Sequence, residues 1–510
     1  MPRITTLLVL LACTVAAPAT RAADDFARLD SGPVRGKSAD GVISFKGIPY
    51  AAPPVGALRW RAPQPVAAWR ETRAATVFGN ACLQPGPGNE RDQLGAAMSE
   101  DCLYLNVWRP AKAARRLPVM VWFYGGALTR GAASLPLYDG AALARRGVVL
   151  VSVNYRIGYP GFFAHPALSR EAADGGKLAN YGLMDQIAAL AWVQRNIREL
   201  GGDPQRVTIF GQSAGAFSVQ LMMLSPKARG LFHRAIVQSG YYRGSFPRLA
   251  STAPDGKRAA EQDGVELLKA IGVETDDVAT LRGLSTAQLQ ALPPHGVSGS
   301  IPAIDGQYVV EDMWTSLRAG RIADVPLMIG ATDQETPRLP PDIIKQFRAI
   351  TATFITPADD VRLETAYGGP AAYERHLISD FTFAAMLRSF AQFHRAQGHA
   401  TYRYRFAALP DAAAARFEGL PHSGELPYVF GNLAASQWPM GEREQRVSEA
   451  AMDYWVEFAR RGKPAPRGRA AWPLDDGDRI MLFDNSGARP VVDDRSARYR
   501  ALAEVVDPRS

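Results

Sequence analysis

Apolar positions along this chain gather in short unbroken runs. Leu117 to Phe123, Val148 to Val153, Val207 to Phe210, Ala235 to Gln238, Pro326 to Ile329 and Tyr402 to Phe406 are the clearest. A run that is apolar on both faces reads as a strand buried on both sides, the habit of parallel sheets. Between these runs the spacing turns helical. Ile187, Leu190, Ala191, Val193 and Ile197 mark a helix over Leu183 to Leu200, and Gly201-Gly202 stops it. Tyr138 to Arg146, entered through Asp139-Gly140, reads as a second helix, and Ala216 to Leu224 as a third. Strands separated by helices predict an α/β fold: a mostly parallel central sheet with helices on both faces. In such sheets reactive groups collect at the carboxyl ends of the strands.

The chain has 510 residues, 47% of them hydrophobic, enough for a large core. No Ser/Gly or Pro linker and no internal repeat interrupts it, so we read one domain over residues 24–510 with helical insertions near 241–324 and 336–400. Ala259 to Ala291 and Pro341 to His399 are expected to wall a gorge or cap. The formal charge is +8, yet only nine of the 58 basic residues are Lys, and Arg alternates with Asp and Glu. That pattern describes a solvated mixed surface and argues against a nucleic-acid partner.

Residues 1–23 read as an export signal, with Arg3 as the positive start, Ile4 to Ala17 as the apolar core and Ala19 to Ala23 as the small cleavage residues. The segment is too short to span a bilayer comfortably, so the expectation is a secreted or periplasmic protein. Leu10-Leu11-Ala12-Cys13 faintly resembles a lipid-attachment box, the alternative reading, although Leu11 fits it poorly. With Cys13 removed, Cys82 and Cys102 remain as a pair that an oxidising compartment favours joining. Two cysteines without further Cys or His partners do not suggest a metal site.

Ser213 stands at the centre of Gly211-Gln212-Ser213-Ala214-Gly215, directly after the strand Val207 to Phe210 and before the helix Ala216 to Leu224. Strand, G-x-S-x-G, helix is the nucleophile-elbow order: a turn so tight that its flanks must be glycine, lifting the hydroxyl clear of the sheet. A serine hydroxyl needs a base to take its proton. Of seven histidines, His165, His233, His376, His394 and His399 lie in or beside regular elements, and His295 is in a Pro-rich loop. His422 alone follows the last predicted strand, where the chain order Ser, acid, His would place the base. The orienting carboxylate should follow the strand Val325 to Gly330. Spacing leaves Asp333 and Glu335 open. The same pattern takes oxyanion donors from the backbone of Ala214 and of the Gly126-Ala127 pair.

With these residues in view the chain resembles the type-B carboxylesterases, the family of bacterial p-nitrobenzyl esterases, animal liver carboxylesterases and cholinesterases. The resemblance runs from about Gly36 to Phe483. It is carried by Phe45-Lys46-Gly47-Ile48-Pro49-Tyr50, by Ser99-Glu100-Asp101-Cys102-Leu103-Tyr104-Leu105-Asn106 and by Asn180-Tyr181-Gly182-Leu183-Met184-Asp185-Gln186. Gly201-Gly202-Asp203-Pro204 and Glu425-Leu426-Pro427-Tyr428-Val429-Phe430-Gly431 add to it. The resemblance implies an α/β-hydrolase fold and a triad of Ser213, Glu335 and His422. It also implies oxyanion donors at Gly126, Ala127 and Ala214, a Cys82–Cys102 disulfide, and no metal or organic cofactor. Four positions depart from the commonest pattern: Gln212 in place of Glu, Ala127 in place of Gly, Leu128 in place of Phe and Thr336 in place of Gly. No Trp lies between Cys82 and Cys102, so the cation–π contact that cholinesterases give a quaternary ammonium is not expected here.

The function expected is hydrolysis of a small-molecule carboxylic ester through an acyl-enzyme. The same apparatus would serve an amide, carbamate or lactone, and some relatives of this fold are non-catalytic binding proteins. Oligomeric state is not legible in the sequence.

Overall fold

The computed structural model describes residues 25–84, 94–112, 116–176, 178–241, 245–253, 256–293, 301–336 and 340–506. The export signal, Cys13 and His295 lie outside these residues. The apolar runs become the centre of an 11-stranded sheet. In chain order its strands are β1 (Lys37–Ala39), β2 (Val42–Pro49), β3 (Tyr104–Pro110), β4 (Leu117–Phe123), β5 (Val149–Val153) and β6 (Gly202–Gln212). They continue as β7 (Arg234–Gln238), β8 (Leu327–Thr332), β9 (Thr401–Phe406), β10 (Arg479–Asp484) and β11 (Gly487–Val492). Across the sheet the order is β11-β10-β9-β8-β7-β6-β4-β5-β3-β2-β1.

From β5 across to β10 every neighbouring pair is parallel, and the strands outside that block pair antiparallel. The six runs read from the sequence are the parallel strands β4 to β9. The antiparallel margins gave no such run. The margin strand β11, Gly-Ala-Arg-Pro-Val-Val, has no buried position and carries no apolar stripe. β6 is also longer than its apolar run. Its polar start, Gly202 to Arg206, joins the sheet through a break in register between Gly202 and Val207 beside β4.

Helices cover the sheet. The helix read over Leu183 to Leu200 is α1 (Tyr181–Asn196), shorter at its end because the chain turns at Ile197 to reach Gly202. Next come α2 (Ala214–Leu224), buried along its whole length, and α3 (Ala385–Ala396). The long α4 (Glu442–Arg461) and the C-terminal α5 (Ser496–Val506) complete the set that bears on the site. Trp122 of β4 packs against Phe210 of β6 and Phe430 with ring centres 4.8 and 4.9 Å apart, tying β4, β6 and the segment after His422 into one core. Helices Ala260–Lys269, Val278–Arg282, Thr286–Ala291 and Met313–Arg318 lie between β7 and β8. Pro341–Thr351, Pro357–Tyr367, Pro370–Ser379 and α3 lie between β8 and β9. Among the described residues no helix is long and apolar enough to cross a membrane.

Candidate active site

Ser213 occupies a strained junction. β6 ends at Gln212, α2 begins at Ala214, and the serine between them has φ 56° and ψ −124°. The flanking glycines are dictated by space. A Cβ on Gly215 would lie 1.9 Å from Phe123 O of β4, and one on Gly211 would lie 2.4 Å from Gly215 C and O. The serine N–H donates to Gln238 O at 2.9 Å, at the end of β7. Its own carbonyl accepts from Phe217 N at 2.9 Å, opening α2. Strain held in this way by both flanking elements is characteristic of functional sites.

The carboxylate and the imidazole meet beyond the ends of β8 and β9. β8 closes at Thr332, and the turn after it brings buried Glu335 back toward the sheet. Glu335 Oε2 is hydrogen-bonded to His422 Nδ1. Its other oxygen, Oε1, accepts from Thr332 N at 2.8 Å and from Ser239 Oγ at 2.5 Å. His422 N in turn donates to Glu335 O at 3.2 Å. Asp333, the other acid left open by spacing, does not touch the ring. Its Oδ1 accepts from Leu420 N at 2.9 Å, and Arg495 at the start of α5 reaches its Oδ2 at 3.5 Å. Asp333 therefore fastens the acid turn to the histidine loop, a task the sequence did not signal.

Two carboxyls act on the ring, Glu335 by contact and Glu425 through its charge alone. Burial opposes protonation of His422, but the charge and hydrogen bond of Glu335, with Glu425 behind, outweigh it and raise its pKa above the ordinary 6.5. Glu425 is fully buried, and burial, reinforced by the charge of Glu335, pushes its pKa up to about 7. Its Oε1 accepts from Gln238 Nε2 at 3.3 Å, while Gln238 Oε1 accepts from Trp455 Nε1 of α4 at 3.1 Å.

The imidazole keeps 28% of its side-chain surface exposed. Its polar contacts are with Glu335 and with the amide of Gln212, and the Ser213 hydroxyl is not among them in this structure. Gln212 Nε2 lies 3.2 Å from His422 Nε2, so the serine's immediate neighbour is already against the ring.

The third component follows β4. Gly126, Ala127 and Leu128 have φ of 105°, 56° and 57°, three left-handed residues in succession. Successive N–H groups in such a bend form a concavity suited to negative charge. Among the described residues the N–H groups of Gly126, Ala127 and Ala214 donate to no other group of the chain. Gly125 lets the loop approach the elbow, since a Cβ there would lie 2.7 Å from Gln212 O and 3.1 Å from Ser213 Cβ. Gly158 N fixes the far side of the loop by donating to Leu128 O at 2.6 Å.

Other histidines are engaged elsewhere. His394 bonds Thr401 Oγ1 at 2.8 Å and Val325 O at 3.1 Å, His165 caps the helix Pro166–Glu171, and His399 pairs with Asp324 at 2.7 Å. Cys82 and Cys102 are joined as a disulfide. An aromatic row that composition did not reveal leads away from His422: Phe383 packs 4.8 Å from its ring, Tyr241 lies 6.1 Å from Phe383, and Phe217 lies 5.4 Å from Tyr241.

Comparison with known proteins identifies relatives of the whole chain. The sequence profile described as "Carboxylesterase family" matches residues 23–365 and 371–485. A fumonisin B1 esterase from Sphingopyxis macrogoltabida is 38% identical over 478 residues, spanning 89% of this chain and 85% of the relative. The para-nitrobenzyl esterase of Bacillus subtilis (strain 168) is 33% identical over 484 residues, spanning 87% and 91% respectively. A solved structure of a thermophilic PNB esterase superposes with a TM-score of 0.82 at 30% identity, covering 94% of this chain and all (100%) of that one.

Proposed function

The chain belongs to the carboxylesterase family, serine hydrolases acting on carboxylic esters, and from that premise we propose that Ser213, His422 and Glu335 are its nucleophile, base and orienting acid. The observation that carries the assignment is the Glu335–His422 hydrogen bond beyond the ends of β8 and β9, at the same edge of the parallel sheet as the elbow.

Chemistry follows from the positions. His422 Nε2 takes the proton of Ser213 as Oγ attacks the ester carbonyl. Glu335 holds the proton on Nδ1, fixes the tautomer and stabilises the imidazolium that forms. The charge developing on the carbonyl oxygen is met by the N–H groups of Ala214, Gly126 and Ala127, where one donor is typically worth about 3 kcal/mol of barrier. The tetrahedral adduct collapses as His422 returns the proton to the departing alcohol, leaving the acyl group on Ser213. Water repeats the sequence with His422 again as base, and the acid departs.

We read the substrate as a small-molecule carboxylic ester, the class on which this family acts. We read residues 1–23 as an export signal that sends the chain to a secreted or periplasmic location, and the Cys82–Cys102 disulfide supports an oxidising destination. Titration with a fluorophosphonate tests the nucleophile. One equivalent bound covalently to Ser213, with complete loss of esterase activity, is expected. Activity surviving stoichiometric labelling would contradict it.

A further inference from the structure

The contact between Gln212 and His422 has an unusual form. Gln212 Nε2 is 3.2 Å from His422 Nε2 and 3.5 Å from His422 Nδ1. The two ring nitrogens direct their hydrogen-bonding axes apart in the plane of the imidazole. An atom nearly equidistant from both would collide with Cε1 if it lay in that plane, so the amide sits over the ring face. There it makes an N–H···π contact and leaves the Nε2 lone pair for the serine. Ser423 Oγ donates to Gln212 Oε1 at 3.0 Å, and this turns the NH2 end of the amide toward the ring. Phe383 packs against the same imidazole, with ring centres 4.8 Å apart.

We propose that Gln212 is a positioning residue for this hydrolase: its uncharged amide lies on the His422 imidazole, holds the ring's orientation and keeps its proton affinity lower than a carboxylate at the same place would. The inference rests on His422 being the base. The titratable groups that act on the ring are Glu335, from the turn after β8, and Glu425, from the histidine's own loop, which carries its charge only as pH passes about 7. Gln212 from β6 and Phe383 from the segment 380–384 face it uncharged. The site already carries two acids that favour imidazolium. A third at position 212, within about 4 Å of both ring nitrogens, would raise the pKa further, since an opposite charge at that range typically shifts a pKa by about 1 to 3 units. A neutral amide there leaves the base unprotonated, and so competent, at lower pH.

The test compares Gln212→Glu with the parent in pH profiles of kcat/KM for p-nitrophenyl butyrate, a neutral ester, with active sites counted by fluorophosphonate titration. The midpoint of the acid limb should move up by about one pH unit or more in the variant. A midpoint within 0.2 unit of the parent's (about the precision of such a fit), in a variant that labels fully, overturns the inference and leaves the triad intact. A parent profile with no acid limb overturns the triad reading and this inference together. A second measurement needs no folded variant: in the parent labelled with 15N at glutamine side chains, the imidazole ring current should move one Gln212 amide proton upfield. A downfield displacement, the mark of an in-plane hydrogen bond, overturns the face-on contact.

Discussion

Ser239 Oγ donates to Glu335 Oε1 at 2.5 Å, so the carboxylate oxygen facing away from His422 is already occupied. Ser239 sits just past β7, at φ 50°, and its N–H bonds Gly330 O of β8 at 2.8 Å. The hydroxyl and Thr332 N together hold the carboxylate against rotation. Ser239→Ala should lower kcat about 10-fold, because a hydrogen bond to a charged group is worth about 1.5 kcal/mol or more. KM should change less than twofold if the loss is confined to positioning (about 0.4 kcal/mol). Steady-state kinetics on a p-nitrophenyl ester checks this, and an unchanged kcat would deny the hydroxyl its role.

Glu335 and Asp333 should separate cleanly. Glu335→Gln keeps the shape of the side chain but inverts what it offers His422 Nδ1, and a fall in kcat of about 10⁴ is expected, as when an analogous acid is replaced by its amide. Asp333→Asn retains an acceptor for Leu420 N but weakens the pairing with Arg495, so a loss of thermal stability with kcat reduced by less than about 10-fold is expected. Equal damage to kcat from both variants would mean the acids have been assigned wrongly.

Gly215→Ala should compromise folding. Its Cβ would press on Phe123 O, a backbone atom of the central strand β4 that cannot turn aside. We expect more than about 4 kcal/mol of destabilisation, or insoluble protein. Thermal melting of the purified variant is the check, and a Tm close to the parent's would show that the elbow has slack.

Activity and stability should respond oppositely to pH. His422 must be neutral to act as base, so kcat/KM should rise as pH passes its raised pKa, above 6.5. A raised folded-state pKa means the folded protein holds the proton longer than the unfolded chain does. The stabilisation this gives is full below the unfolded value and fades as pH climbs through the folded one. Glu425 obeys the same sign: its stability contribution declines between an ordinary carboxyl near 4.5 and its own pKa of about 7. Glu425→Gln should therefore flatten the fall in Tm across that interval. Parallel Tm curves for parent and variant would show that Glu425 does not titrate there.

Much of this site was legible before any coordinates. Ser213 stood out because an apolar strand, two glycines and a helix leave the turn only one geometry. His422 stood out because few histidines exist and only one follows the last strand read. Asp333 and Glu335 lie two residues apart in one turn, and sequence spacing carries no direction. Only the fold shows Glu335 meeting the imidazole while Asp333 grips Leu420 and Arg495. The antiparallel margins offer no unbroken apolar run: β11 has no buried position, and β2 and β3 interleave polar residues such as Ser44, Lys46 and Asn106 with their buried apolar ones. In the sequence Gln212 is only a departure from a pattern. Its contact with His422 joins residues 210 positions apart, a closeness that no local periodicity encodes.

If one serine hydroxyl does the covalent chemistry, Ser213→Ala is the variant that must lose turnover. With the variant folded as the parent by melting temperature, kcat on a p-nitrophenyl ester should fall by several orders of magnitude. A residue of about 10³-fold over water should remain from the backbone donors and substrate binding. Turnover within about 10-fold of the parent would contradict the claim and place the nucleophile elsewhere.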